Sequence, residues 1–204
     1  VTMRHFEDAK DRVMMGPARR SMVLSAKEKL ATAYHEAGHT LVAKLLPDSD
    51  PVHKVTIIPR GMALGVTSSL PEEDRYSITR SHCLAMMRVL LAGRAAEEII
   101  YNEYTSGASN DLKRCTNLAH KMVCEWGMSD LGPITFGGDD EVFLGRDFAK
   151  MREFSEETAS AVDREIHRLC DEGYSDSLQM LKKYEQVLRK LAETLYEKET
   201  LTSE

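Results

Sequence analysis

Leu30, Tyr34, Ala37, Leu41 and Leu45 recur at intervals of three and four residues and stop short of Pro47, the spacing that lines one face of an α-helix. Ser25-Ala26-Lys27-Glu28 precedes them in the form of a capping box, where each end side chain satisfies the other's free backbone amide. A helix is therefore expected from near Ala26 to the proline, which cannot continue a helix interior. Val52 to Pro59 is rich in β-formers, Arg60-Gly61 turns the chain, and Ala63 to Leu70 is a second candidate strand, so a small hairpin follows. Pro71 to Asp74 reads as a loop, and Ser77 opens a helical run through Leu84, Met87, Leu91, Ala95 and Ile99. Beyond Thr105 to Ala108, Ser109 can cap a helix reaching about Trp126. Gly127 to Lys150 has no periodicity and reads as a long loop. Ser155 begins another helix with Val162, Ile166 and Leu169 inward, and a last one from about Ser175 carries Leu181, Tyr184, Leu188, Leu191 and Leu195. Those five form a short heptad seam, expected to pack within the chain. At the other end, Thr2 can cap a short helix with Phe6, Ala9 and Val13 on one side, followed by a basic connector from Ala18 to Met22. The fold class is mainly α with a small β-hairpin or sheet.

Composition narrows the function. The 204 residues are 42% apolar, enough for one core. Against 33 Asp and Glu stand 27 Lys and Arg, a net charge of -6, which argues against nucleic acid as the partner. Cys83, Cys115, Cys124 and Cys170 form no CxxC pair, so neither a disulfide framework nor a zinc knuckle is signalled and a reducing compartment is expected. His120, Cys124 and Cys115 form a secondary metal-site arrangement, set aside in favour of cysteines in a helical core. No apolar run approaches the roughly 20 residues of a membrane span, and the N-terminus lacks both a signal-peptide stretch and an initiator Met. The sequence reads as a piece of something longer.

The chemistry sits in His35-Glu36-Ala37-Gly38-His39. On a helix, imidazoles four residues apart stack on one face and supply two protein ligands of a catalytic zinc, which lowers the pKa of its water to about 7. Glu36 points beside such a metal, where a carboxylate serves as general base. Gly38 in a helix interior costs about 1 kcal/mol relative to Ala, so a close contact is expected there. The third ligand stays open on these grounds. Asp111, in the first turn of a helix whose dipole favours the ionised carboxylate, and Glu97 or Glu98 on the preceding helix are equal candidates, while Glu72, Glu73 and Asp74 read as solvated loop charge.

His35-Glu36-Ala37-Gly38-His39, Ile57 to Gly65, Leu70-Pro71-Glu72-Glu73-Asp74, Gly93-Arg94-Ala95-Ala96-Glu97-Glu98-Ile99, Ser106 to Leu112, Trp126 to Ser129 and Leu131 to Pro133 follow one another in order. Together they resemble the peptidase domain of the FtsH-type, membrane-anchored, ATP-dependent zinc proteases. The resemblance implies one zinc per chain held by His35, His39 and Asp111, with Glu36 as base and Glu97 orienting a ligand imidazole. It makes Met62, Ala63, Leu64, Gly65 and Val66 an edge strand on which an extended substrate adds. Residues 1–22 become a linker and short helix from the end of an ATPase region, and 23–204 a single zinc peptidase domain with C-terminal helices across 155–200. The implied whole protein is a homo-hexamer acting on unfolded or membrane proteins. Its peptidase domain would face a reducing compartment, most plainly the cytoplasmic side of a bacterial inner membrane, with an organellar membrane as the alternative. The 204 residues hold no GxxxxGK[ST] loop, so ATP would enter only through an ATPase domain upstream, and cleavage of already unfolded chains by this piece would be ATP-independent. Two rival readings remain: a scaffold module that cleaves nothing, and a zinc hydrolase with a cysteine ligand. The oxyanion-stabilising group and the role of Gly137 to Asp147 have no reading.

Overall fold

The capping box forms as the sequence requires: the Ser25 hydroxyl accepts from the Glu28 amide at 3.2 Å and the Glu28 carboxylate accepts from the Ser25 amide at 3.1 Å. It starts helix α2, Ala26–Leu45, which is buried from Ala33 to Ala43. A computed structural model describes residues 2–19, 24–60, 63–70, 76–136 and 155–203. The other described elements are α1 (Met3–Met15), β1 (Val52–Thr56), β2 (Val66–Ser69), α3 (Arg80–Tyr101), α4 (Ser109–Cys124), α5 (Glu156–Lys183), α6 (Glu185–Lys198) and β3 (Thr200–Thr202), with a 3₁₀ turn at Ser106–Ala108 before α4.

Helix α3 is the central layer. One apolar cluster joins Ala33, Ala37 and Val42 of α2 to Ala92, Ala95 and Ala96 of α3, and to Leu181, Leu188 and Leu195 of α5 and α6. A second joins Met87 and Leu91 of α3 to Ala119 and Met122 of α4 and Leu169 of α5. The α2–α3 crossing is close because both faces are small. A Cβ on Gly38 would lie 2.6 Å from the Ala92 carbonyl oxygen and 2.8 Å from the Ala96 Cβ, which explains a glycine where helix propensity argues for alanine.

The sheet has the order β2-β1-β3, antiparallel throughout, so β2 is an edge. Val55, Thr56 and Ile57 are buried beside α2. The observed second strand is shorter than the expected Ala63 to Leu70: Ala63 makes a single bridge with Arg60, the chain bends at Leu64, and pairing with β1 begins at Val66. Met62 and Gly61 lie outside the described residues.

Several helix boundaries and a third strand differ from the sequence reading. Thr79, not Ser77, caps α3, accepting from the His82 amide. Ser109 is the first residue of α4 rather than its cap, because the preceding turn is wound as 3₁₀ and the Thr105 hydroxyl accepts from Gly107 instead. Helix α5 does not end near Ser175. It runs unbroken to Lys183, since Gly173 fits against Leu91 and the fully buried Ser177 hydroxyl lies 2.7 Å from the Gly173 carbonyl oxygen and 2.8 Å from that of Arg88. The break falls at Tyr184. The seam of Leu181, Leu188 and Leu195 is therefore shared by two helices, both packed inside. Beyond α6, Glu199 takes a left-handed φ of 60° and turns Thr200–Thr202 back as β3, a strand too short to give a periodic signal.

Helix α4 stops at Cys124, two residues before Trp126. The first part of the expected long loop is ordered by backbone bonds. Gly127 and Gly132 take positive φ, and the Phe136 amide donates to the Cys124 carbonyl at 2.8 Å. Residues 137–154, with Gly137 to Asp147, lie outside the described residues, as do Glu72, Glu73 and Asp74. Among the described residues no helix is long and apolar enough to cross a membrane.

Candidate metal centre

The two imidazoles are set by what their inner nitrogens touch. His39 Nδ1 lies 2.6 Å from the Val89 carbonyl oxygen, which only accepts, so Nδ1 carries the proton and donates it. His35 Nδ1 likewise donates to Glu97 Oε1 at 2.8 Å. Both Nε2 atoms are thereby turned to the same point, 3.0 Å apart. Asp111 Oδ2 completes the group at 3.4 Å from His35 Nε2 and 3.6 Å from His39 Nε2. One ligand atom from each residue lies within 4.8 Å of the other two. Gly93 of α3 makes room: a Cβ there would stand 2.5 Å from the His35 ring and 2.6 Å from His39 Nε2.

The electrostatics describe a cation site. Burial opposes charge on His35, but Asp111, Glu97 and Glu36 outweigh it and push its pKa up to about 10. Burial likewise opposes ionisation of Asp111, yet its contacts with His35 and His39 hold the carboxyl well below the usual range. A half-buried carboxylate that stays ionised beside two imidazole nitrogens facing the same point is the donor set a divalent transition metal takes.

Of the acids open as third ligand, Asp111 is the one whose carboxylate faces both Nε2 atoms. Glu97 sits behind His35, not beside the metal point. Burial would raise its pKa, but His35 and Thr105 lower it, with the Thr105 amide donating to Oε2 at 2.8 Å and the Thr105 hydroxyl to Oε1 at 3.1 Å. Glu98 points elsewhere, accepting from the hydroxyls of Tyr174 and Tyr104. Cys115 and Cys124 are buried in the second apolar cluster, and His35, His39 and Asp111 are the metal-ligand group found among the described residues.

Glu36 turns toward the sheet, as its place one residue along from His35 requires. Its Oε2 accepts from the Thr67 hydroxyl at 2.6 Å, and its Oε1 would lie 2.7 Å from a Cβ on Gly65. Sequence reasoning missed Thr67, Thr105, Gly93 and the Val89 carbonyl. Thr67 alternates correctly within a candidate strand, but nothing in one sequence signals a cross-element hydrogen bond. A glycine inside a long helix was the available signal for Gly93, as it was for Gly38.

Two helical imidazoles, a carboxylate from a second helix and a glutamate beside them define the site of an HExxH metallopeptidase. A model of Peptidase family M41 matches residues 22–204, and the chain belongs to that family. It is 52% identical to an ATP-dependent zinc metalloprotease FtsH of Acidobacterium capsulatum, over 98% of this chain and 32% of that protein. It is 54% identical to an ATP-dependent zinc metalloprotease FtsH 4 of Sorangium cellulosum, over 100% of this chain and 32% of the other, and 49% identical to an FtsH of Pseudothermotoga lettingae, over 100% and 33%. The chain thus spans about a third of the length of the curated relatives it matches.

Proposed function

We propose that this chain is the zinc endopeptidase domain of a membrane-anchored, ATP-dependent protease, cleaving unfolded or membrane protein chains. The observation that carries the reading is the convergence of His35 Nε2, His39 Nε2 and Asp111 Oδ2 on one point beside Glu36. Zinc, when bound, would supply the Lewis acidity that polarises the scissile carbonyl and acidifies water. Glu36 takes the proton from the attacking water and passes it to the leaving amine. His35 and His39 stay fixed because their Nδ1 atoms are bonded to Glu97 and Val89, and Glu97 acts as the partner that orients a ligand imidazole.

Substrate is read through its backbone. Strand β2 stands at the sheet edge, and Glu36 packs on Gly65 and Thr67 beside it. An extended chain laid along Ala63, Leu64, Gly65 and Val66, the segment that leads into β2, would run past the base; Met62, the remaining residue of the expected edge, lies outside the described residues. Main-chain pairing accepts many sequences, which suits a protease of unfolded proteins. The ATPase and membrane segments belong to the other two thirds of such a protein, and its assembly would be a homo-hexamer with this domain in a reducing compartment, the cytoplasmic face of a bacterial inner membrane being the leading assignment.

The test is hydrolysis of an unstructured protein such as casein by the chain before and after zinc removal. Cleavage lost with zinc and restored by it supports the reading. Cleavage indifferent to zinc refutes it.

A further inference from the structure

We propose that Thr67 is a positioning residue that sets the carboxylate of Glu36 for proton transfer, an inference that rests on the general-base reading of Glu36. The Thr67 hydroxyl lies 2.6 Å from Glu36 Oε2, a short charge-assisted bond, and 3.4 Å from the Glu36 carbonyl oxygen. Glu36 is 5% exposed, so that bond is made away from bulk water. Thr40, one helical turn after Glu36, has its hydroxyl 3.5 Å from that of Thr67 and lines the same spot. Among the described residues Thr67 is the hydrogen-bond donor to this carboxylate, and Oε1 is left to receive a proton.

The backbone around Thr67 forms the other wall. Gly65, just before β2, approaches so closely that a Cβ would lie 2.7 Å from Glu36 Cγ and Oε1, and 2.9 Å from Thr32 Cγ2. The base therefore lies in a slot between α2 and β2, with a donor at one oxygen and bare backbone at the other. Thr67 follows directly on the Ala63 to Val66 segment proposed to dock substrate, so one stretch of chain both places the peptide and holds the base. A carboxylate free to rotate about its last bonds would spend most of its time misdirected, and small misplacements of a reacting group are costly.

The experiment compares the zinc-loaded parent with Thr67→Val, which keeps the shape and removes the donor, Thr67→Ser, which restores it, and Glu36→Gln. Kinetics on an unfolded protein substrate and crystal structures of each are recorded together. The expected result is a kcat lower by roughly tenfold to a hundredfold in Thr67→Val, matching loss of a bond to a charged group, with KM and zinc content unchanged and the rate recovered in Thr67→Ser. In the crystals, Glu36 keeps one carboxylate orientation in the parent and Thr67→Ser and leaves it in Thr67→Val. Parental kcat in Thr67→Val, or an unmoved Glu36 carboxylate in its crystal, overturns the proposal while leaving the base assignment intact. Turnover retained in Glu36→Gln is the separate result that removes the base assignment itself.

Discussion

The Nε2 atoms of His35 and His39 stand 3.0 Å apart, each on a ring whose Nδ1 donates to a fixed acceptor. Rings so tied cannot turn to bond each other through their inner nitrogens. Their outer nitrogens and Asp111 Oδ2 face one point, where the nearby carboxylates raise the His35 pKa and the three atoms could hold a metal. Asp111→Ala is expected to abolish stoichiometric zinc, whereas Cys115→Ala and Cys124→Ala retain it, as metal analysis after dialysis reads directly. Zinc lost with either cysteine would restore the cysteine-ligand hydrolase.

Glu97 holds His35 from behind, and Thr105 holds Glu97. Glu97→Gln keeps the size and loses the charge that steadies the imidazole, so zinc affinity should fall about tenfold to a hundredfold. Competition with a chromophoric chelator measures it. An unchanged affinity would make Glu97 a helix-packing residue only.

Gly93 and Gly38 answer to different neighbours. Alanine at Gly93 places a methyl 2.5 Å from the His35 ring, so Gly93→Ala should lose zinc while the chain stays folded. At Gly38 the methyl meets the α3 backbone at the Ala92 carbonyl, which cannot yield as a side chain does. Gly38→Ala should lower stability by roughly 1–3 kcal/mol despite its better helix propensity, as read by urea unfolding of both variants.

Much of this was legible before any coordinates. The Ser25 capping box and the Leu30 to Leu45 stripe marked α2 to its ends, because a cap and a proline are local chemistry. The two candidate ligand imidazoles follow from helical spacing. The third ligand does not: Asp111 and Glu97 are both acids near a helix end, and only the packing of α3 against α2 decides which faces the Nε2 atoms. The resemblance implies Asp111, and in the structure its carboxylate lies in the group that could hold a metal ion. The unbroken α5 was hidden because Gly173 and Ser177 look like a break in one dimension, yet fit the surface of α3 in three. Strand β3 depends on pairing with β1, a contact between residues 144 apart along the chain at Thr56 and Thr200.

Glu165 ties the turn after α4 to α5, accepting from the Asp130 amide at 3.0 Å and from Arg168 at 2.6 and 2.8 Å. Arg168 above all, with the Asp130 amide, holds its pKa below the ordinary 4.5 against the opposing effect of burial. A depressed folded pKa means stability present above the unfolded value and lost as pH falls through the folded one. Glu165→Gln should therefore be less stable than the parent at neutral pH, with the gap narrowing at an acid pH below the ordinary carboxylate range. Urea unfolding at the two pH values checks this, and a gap that widens in acid would contradict it.

The most direct test of the account measures zinc content and casein turnover side by side in the parent and in Glu36→Gln. Glu36 is not in the ligand group, so one zinc per chain is predicted in both proteins, with turnover in the parent and a loss of at least about a hundredfold in the variant. Equal turnover in the two, or a parent that binds no zinc, would contradict it.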